Sequence, residues 1–210
     1  MLVAIWSDLV CPWCYVGKRR FEHALASVAI RDDIQVVHRS FQLNPSAPKG
    51  TTMSRREMLK SKYGWSDAQA EAMDRRMEQT AAAEGLKYQL GAGGVTGNTA
   101  DAHQLTHLAH HRGIQDAVVE RFFRAYFTEQ RSLFDHDSLV ELATEAGLDA
   151  DEVRGVLRDG AYVDAVAADD REAKALGASG VPFFVIDKRH GISGAQPSDV
   201  FVQVLTRARG

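Results

Sequence analysis

Leu2 to Trp6 is a short apolar run that ends at Ser7 and Asp8, and from Pro12 to about Ala29 the pattern becomes one of helix formers. The opening therefore reads strand, loop, helix. Pro12 suits the first helical position, where its missing N–H is no loss, and this places Cys11 at the N-cap. Ile34 to Phe41, with Val36 and Val37 at its centre, predicts a second strand. Asn44-Pro45 and Pro48-Lys49-Gly50 then break the pattern and close a first βαβ unit.

From Ser54 to Gly177 the signals are almost wholly helical. Ser54 with Glu57, and Ser66 with Gln69, have capping-box spacing. Gly64, Gly85, Gly113, Gly147, Gly160 and Gly177 stand where helices would stop, which predicts about six or seven helices in succession. The strand pattern returns in Val181 to Ile186, turns through Asp187 to Gly191 into Ile192 and Ser193, and gives way to a last helix from Pro197 to about Arg207. Two terminal αβ pieces can complete one sheet while the helices pack beside it. The expected organisation is a discontinuous αβ domain, residues 1–43 and 178–210, interrupted by a helical insertion over 44–177.

Composition narrows the function classes. The 210 residues are 45% hydrophobic and 25% charged, which fits one folded unit with a sizeable core. A net charge of -3 provides no basic field, so nucleic acid and acidic membrane surfaces are not expected partners. No apolar run is long enough to span a bilayer, and Met1 to Trp6 lacks a basic start and a cleavage site, so the expected location is the cytoplasm.

Cys11 and Cys14 are the only cysteines, so a structural disulfide framework is not expected. Disulfide exchange needs a thiolate, and a free thiol with a pKa near ~8.5 is ionised only to a few per cent at neutral pH. The first turn of a helix lowers that value through its uncompensated N–H groups and dipole. Lys18, Arg19 and Arg20, further along the same helix, are expected in solvent and of lesser effect. Cys14, three residues on, falls on the same face and can resolve a mixed disulfide. A zinc site would need four ligands, and no second cysteine pair exists, so no metal is expected. Pro12 and Trp13 lie between the thiols and are candidate substrate contacts, Trp13 as a half-exposed platform or as plain packing.

Val181-Pro182 is the second informative place. A proline before a strand is either an ordinary strand-initiating residue or a cis bond, and the latter would leave backbone groups of Val181 free to bind an extended substrate segment. Weaker signals follow. Leu86 to Leu90 alternates like a strand and runs into Gly91 to Gly97, which imitates a phosphate-binding turn without matching either the dinucleotide or the P-loop pattern. A loop, or a lid over the thiols, is the preferred reading of that turn. His103, His107, His110 and His111 share a helix, and a solvated or core-capping role is preferred over metal binding. Asn98 and Asp101 are candidate pocket-lining residues, explained equally well as an N-cap and a first-turn acid. Phe122, Phe123, Tyr126 and Phe127 form a core stripe facing the αβ part, from which one ring could reach the cleft.

The segments Ser7-Asp8-Leu9-Val10-Cys11-Pro12-Trp13-Cys14-Tyr15-Val16-Gly17-Lys18-Arg19-Arg20, Asn98-Thr99 with Asp101-Ala102-His103, Phe123-Arg124-Ala125-Tyr126-Phe127, Gly180-Val181-Pro182-Phe183-Phe184 and Ser193-Gly194-Ala195-Gln196-Pro197 together resemble the FrnE-like branch of the DsbA family. The resemblance extends over essentially the whole chain. It implies an α/β thioredoxin-like fold with an inserted all-α helical domain, a nucleophilic Cys11, a resolving Cys14 and a cis-Pro182 loop facing them. The second C-terminal cysteine pair of some FrnE-like proteins is absent. The same superfamily contains 2-hydroxychromene-2-carboxylate isomerases and kappa-class glutathione transferases, which usually carry serine at the first cysteine position.

Three readings follow. The first is a thiol-disulfide oxidoreductase, with disulfide isomerisation within its range, that needs no metal or organic cofactor and acts on a protein or small-molecule thiol or disulfide. The second is a glutathione-dependent isomerase or transferase acting on a small aromatic or polyketide-type molecule, with glutathione as co-substrate. The third is a redox-sensitive peptide-binding or holdase module. A monomer and a homodimer are both compatible with the sequence.

Overall fold

The structure, a computed structural model, describes residues 1–91 and 94–208. β1 (Leu2–Ser7) leads through a short loop into α1 (Pro12–Ser27), and a 3-10 turn at Arg31–Asp33 returns the chain to β2 (Gln35–Ser40), parallel to β1. At the other end of the chain, β5 (Phe183–Ile186) runs antiparallel to β1, β6 (His190–Ser193) pairs with β5, and α9 (Ser198–Ala208) follows. The sheet order is β2-β1-β5-β6, so the two ends of the sequence complete one sheet. This is the thioredoxin-like α/β fold with a helical insertion that the resemblance implies.

The strand alternation determines which face each side chain covers. Val3, Ile5, Phe184 and Ile186 point to one side, where Phe21 of α1 and Phe201 and Leu205 of α9 cover them. Trp6, Phe183 and Val185 point to the other, against Phe41 and Ala173. The outer edge of β2 is also occupied. Gln115 Oε1 accepts from His38 N–H at 3.0 Å, Gln115 Nε2 donates to His38 O at 2.8 Å, and Asp169 Oδ2 accepts from Ser40 N–H at 2.8 Å. Side chains of the insertion thus stand in for a further strand on an edge that would otherwise present unpaired backbone groups.

The insertion carries α2 (Arg55–Tyr63), α3 (Asp67–Ala83), α4 (Ala100–His111), α5 (Gln115–Phe127), α6 (His136–Glu145), α7 (Ala150–Asp159) and α8 (Val163–Ala175). The six glycines expected at helix stops all have positive φ, and Gly64 and Gly160 are left-handed C-caps. Ser66 and Gln69 make both halves of a capping box, whereas Ser54 makes only the bond from Glu57 N–H to its hydroxyl.

The insertion is not wholly helical, because β3 (Thr52–Ser54) and β4 (Val95–Gly97) form a small antiparallel sheet. Leu86 to Leu90 does alternate, with Leu86, Tyr88 and Leu90 buried between exposed neighbours, yet it joins no sheet. Its backbone is held instead by Gln89 N–H on Phe127 O at 2.7 Å and Leu90 N–H on Glu78 Oε1 at 2.7 Å. Lys18, expected in solvent, is 3% exposed. The lid reading of Gly91 to Gly97 falls partly on Ala92 and Gly93, which lie outside the described residues.

Candidate active site

Asp8 follows β1 and sets the turn into α1. Its carbonyl accepts the Cys11 N–H at 3.0 Å, while its carboxylate, 1% exposed, accepts Leu43 N–H at 2.7 Å and Val10 N–H at 3.4 Å. His103 of α4 faces the same carboxylate, Nε2 to Oδ1 at 3.6 Å, and that nitrogen is buried without a hydrogen-bond partner. Cys11 is the N-cap of α1 with an extended backbone, and Pro12 occupies the first turn, as the helix-start pattern predicts.

The Cys11 sulfur lies 3.7 Å from Val181 O. Val181-Pro182 is cis, and Pro182 O in turn accepts Gly194 N–H at 2.8 Å. Gly17 allows this loop to come so close: a Cβ there would stand 2.8 Å from Pro182 Cγ. Arg20 donates to Ala195 O at 2.7 Å and to Glu84 at 2.6 Å, tying the loop after β6 to α1. The Val181 N–H donates to no group among the described residues.

Both cysteines are free thiols, and Cys14 is fully buried. Burial pushes the Cys14 thiol well above its ordinary value, and a hydrogen bond with Cys11 and the charge of Cys11 act in the same direction. Trp13, between them, is 44% exposed. Tyr88 donates its hydroxyl to Pro12 O at 2.7 Å. Burial, and then the neighbouring Cys11, Tyr15 and Cys14, push the Tyr88 phenol far above the usual range, so it remains a neutral donor.

Behind the thiols, α1 is locked to α5. Tyr15 stacks on Phe123 and donates to Glu120 at 2.6 Å. Lys18 pairs with Glu22, with Glu120 at 2.9 Å and with Asp116 at 3.2 Å, and Arg19 reaches Glu120 at 2.7 Å. Desolvation alone would raise Asp116 and Glu120. The hydrogen bond from His38 and the Lys18 charge hold Asp116 far below the carboxylate range, and Lys18, Tyr15 and Arg19 hold Glu120 below it. The aromatic stripe on α5 is core, as its pattern predicts, with Phe122, Phe123 and Phe127 fully buried. Tyr126 donates to Val95 O at 2.8 Å.

The structure therefore brings Cys11, Cys14, Pro12, Trp13, Val181 and Pro182 together. Asn98 and Asp101 bond to the loop after β2, to the start of α4 and to His136. Asn98 accepts from Ala100 N–H at 2.9 Å and donates to Ala47 O at 2.7 Å, while Asp101 meets Lys49 at 2.5 Å and His136 at 3.2 Å. Burial would raise Asp101, but those two partners hold it below its ordinary value. His107 faces Asp169 at 3.1 Å, so His103 and His107 each have their own carboxylate. Among the described residues no group of three or more His, Cys, Asp or Glu side chains is placed to hold a metal, and no helix is long and apolar enough to cross a membrane. The roles of Asp8, Gly17 and Tyr88 are not visible in their local sequence, because the groups that define them lie far along the chain.

Known proteins share this architecture. Residues 2–206 match the model of the DSBA-like thioredoxin domain family. A probable DsbA oxidoreductase of Streptomyces coelicolor is 53% identical, with a TM-score of 0.96 over 100% of this chain and 90% of that one. The cytosolic disulfide reductase DsbM of Pseudomonas aeruginosa is 20% identical, with a TM-score of 0.72 over 100% and 99% of the two chains, and has also been solved with glutathione. A 2-hydroxychromene-2-carboxylate isomerase is 16% identical, with a TM-score of 0.65 over 100% and 95%. At these lower identities the last two show the fold alone.

Proposed function

The chain belongs to the DSBA-like thioredoxin domain family, a family of DsbA-like oxidoreductases, and from that premise we propose that Cys11 and Cys14 are its redox pair for dithiol-disulfide exchange. The observation that carries this reading is the placement of Cys11 at the N-cap of α1, against the Val181 carbonyl, with Cys14 buried one turn deeper. Cys11 as thiolate attacks one sulfur of a substrate disulfide. A Cys11–substrate bond forms, the substrate S–S bond breaks, and the first substrate sulfur leaves as a thiolate. Cys14 then loses its proton and attacks the Cys11 sulfur, forming the Cys11–Cys14 disulfide and releasing the second substrate thiolate. Two electrons pass from the enzyme to the substrate, and the reverse sequence oxidises a substrate dithiol.

The raised pKa of Cys14 suits this order, because the resolving thiol stays protonated while Cys11 reacts. The Val181 N–H, which has no acceptor among the described residues, is suited to bind the backbone of an extended substrate segment, with the 44% exposed Trp13 as a further contact. Asn98 and Asp101 enter this reading by holding the loop that follows β2, through Ala47 and Lys49. Glutathione is the proposed small-molecule thiol partner, supported by the glutathione complex of DsbM, and the cytoplasm is the proposed site of action. Replacing Cys11 with Ser should abolish turnover of a disulfide substrate in a glutathione-coupled assay. Full turnover by that variant would overturn the assignment.

A further inference from the structure

Tyr88 lies in the extended stretch between α3 and β4, far from α1 in sequence, yet its hydroxyl reaches into the first turn of α1. The ring is 7% exposed and stacks on Phe127 at 4.7 Å and on Tyr15 at 5.9 Å. Gly85, at positive φ, and the bond from Leu86 N–H to Ala81 O turn the chain out of α3 towards this position. Gln89 N–H on Phe127 O then fixes the segment on α5. The hydroxyl is therefore held in place from both sides of its own residue.

Its acceptor is the carbonyl of the Pro12–Trp13 peptide. The other end of that peptide group is the Trp13 N–H, an early N–H of α1 that has no acceptor among the described residues. In the thiol form the Cys11 sulfur faces Val181 O and accepts no capping bond. Once ionised it has no proton to donate and needs donors, and the uncommitted N–H groups at the helix start are the ones at hand. A peptide group whose carbonyl accepts a hydrogen bond donates more strongly from its N–H, by about 10–30% per bond.

We propose that Tyr88 is a positioning residue for the redox pair: by hydrogen bonding to Pro12 O it polarises the Pro12–Trp13 peptide and fixes the Trp13 N–H as a donor to the Cys11 thiolate. This deepens the function proposed above and rests on Cys11 being the attacking thiolate. It gives the helical insertion a share in the electrostatics of the thiols without contact with the substrate.

The test is the rate of Cys11 alkylation by iodoacetamide across pH, measured in full-length protein carrying Cys14→Ser, with and without Tyr88→Phe. The phenylalanine retains the ring and its stacking. The expected result is a profile displaced to higher pH, with alkylation at low pH slowed about threefold and the high-pH plateau unchanged, a size in keeping with loss of one polarising hydrogen bond. Superimposable profiles would overturn the proposal. Phe127→Leu loosens the same aromatic packing but keeps the hydroxyl, so an equal displacement in that variant would also overturn it. Failure of the underlying reading has its own signature: Cys11 that reacts as an ordinary thiol, with or without the hydroxyl, removes the attacking-thiolate reading and this proposal together.

Discussion

Gly17 and Pro182 approach each other so closely that a methyl group on Gly17 would lie 2.8 Å from Pro182 Cγ. The proline ring cannot swing aside as a flexible side chain would, so Gly17→Ala must move α1 or the loop before β5. In an open helix the same change would stabilise by about 1 kcal/mol, whereas overpacking costs about 1–3 kcal/mol. The expected outcome is a net loss of stability by chemical denaturation and an approximately tenfold slower exchange, because displacement of reacting groups is costly. A more stable variant with unaltered exchange would show that the contact does not position the site.

Lys18 tests the seam between α1 and α5. It is 3% exposed, but its partners Glu120 and Glu22 are about one-third exposed and Asp116 more so, and these can rehydrate when the ammonium is removed. Lys18→Met should therefore cost about 2 kcal/mol rather than the ~3–5 kcal/mol of breaking a fully buried pair. Denaturation midpoints would check this.

The same cluster predicts a pH dependence. Asp116 and Glu120 have pKa values below their unfolded ones, so their stabilising contribution is complete above the unfolded carboxylate range and is lost as pH falls through the folded values. Lys18 is raised, despite desolvation, by Asp116, Glu22 and Glu120, so its contribution is complete below its unfolded value and is lost only in strong alkali. Stability should be flat near neutrality and fall at acidic pH. The acid limb should be shallower in Lys18→Met, as measured by denaturation at stepped pH.

Asp8 accepts from two backbone N–H groups and faces His103. Asp8→Ala leaves those part-buried donors without their acceptor, a loss of about 1–2 kcal/mol. It should lower both stability and exchange. Gln115→Ala provides the contrast, because its hydrogen bonds go to His38 and Thr106 and to neither thiol. It should lower stability by about 2 kcal/mol and leave exchange per folded molecule unchanged.

The features legible in the sequence are those with local causes. The strand runs at both ends, Pro12 at the helix start, the glycine stops and the Ser66–Gln69 box each depend on neighbours within a few residues. The features missed depend on distant partners. Glu22 is visible from Lys18 as a helical neighbour, but Asp116 and Glu120 arrive from another helix and turn a presumed surface lysine into a buried one. In Leu86 to Leu90 the alternation correctly reports which side chains are buried, but periodicity says nothing of what the backbone bonds to, and here it bonds to α5 and to Glu78. The strands β3 and β4 have three residues each, too short for any period, and Gly97 is drawn against Thr51 O and Phe134 by packing that no local pattern records. At the site, the Cys-Pro-Trp-Cys spacing is legible from local rules, Val181-Pro182 is marked by them without its isomer being decided, and Tyr88 on Pro12 O is a purely tertiary contact.

The division of labour between Cys11 and Cys14 is read out by peptide mapping, by mass spectrometry, of Cys14→Ser protein incubated with glutathione disulfide. A stable glutathione adduct on Cys11 is expected, formed at a rate that follows the pH profile of its alkylation. A Cys11 that remains unmodified under conditions that label an ordinary exposed thiol would contradict it.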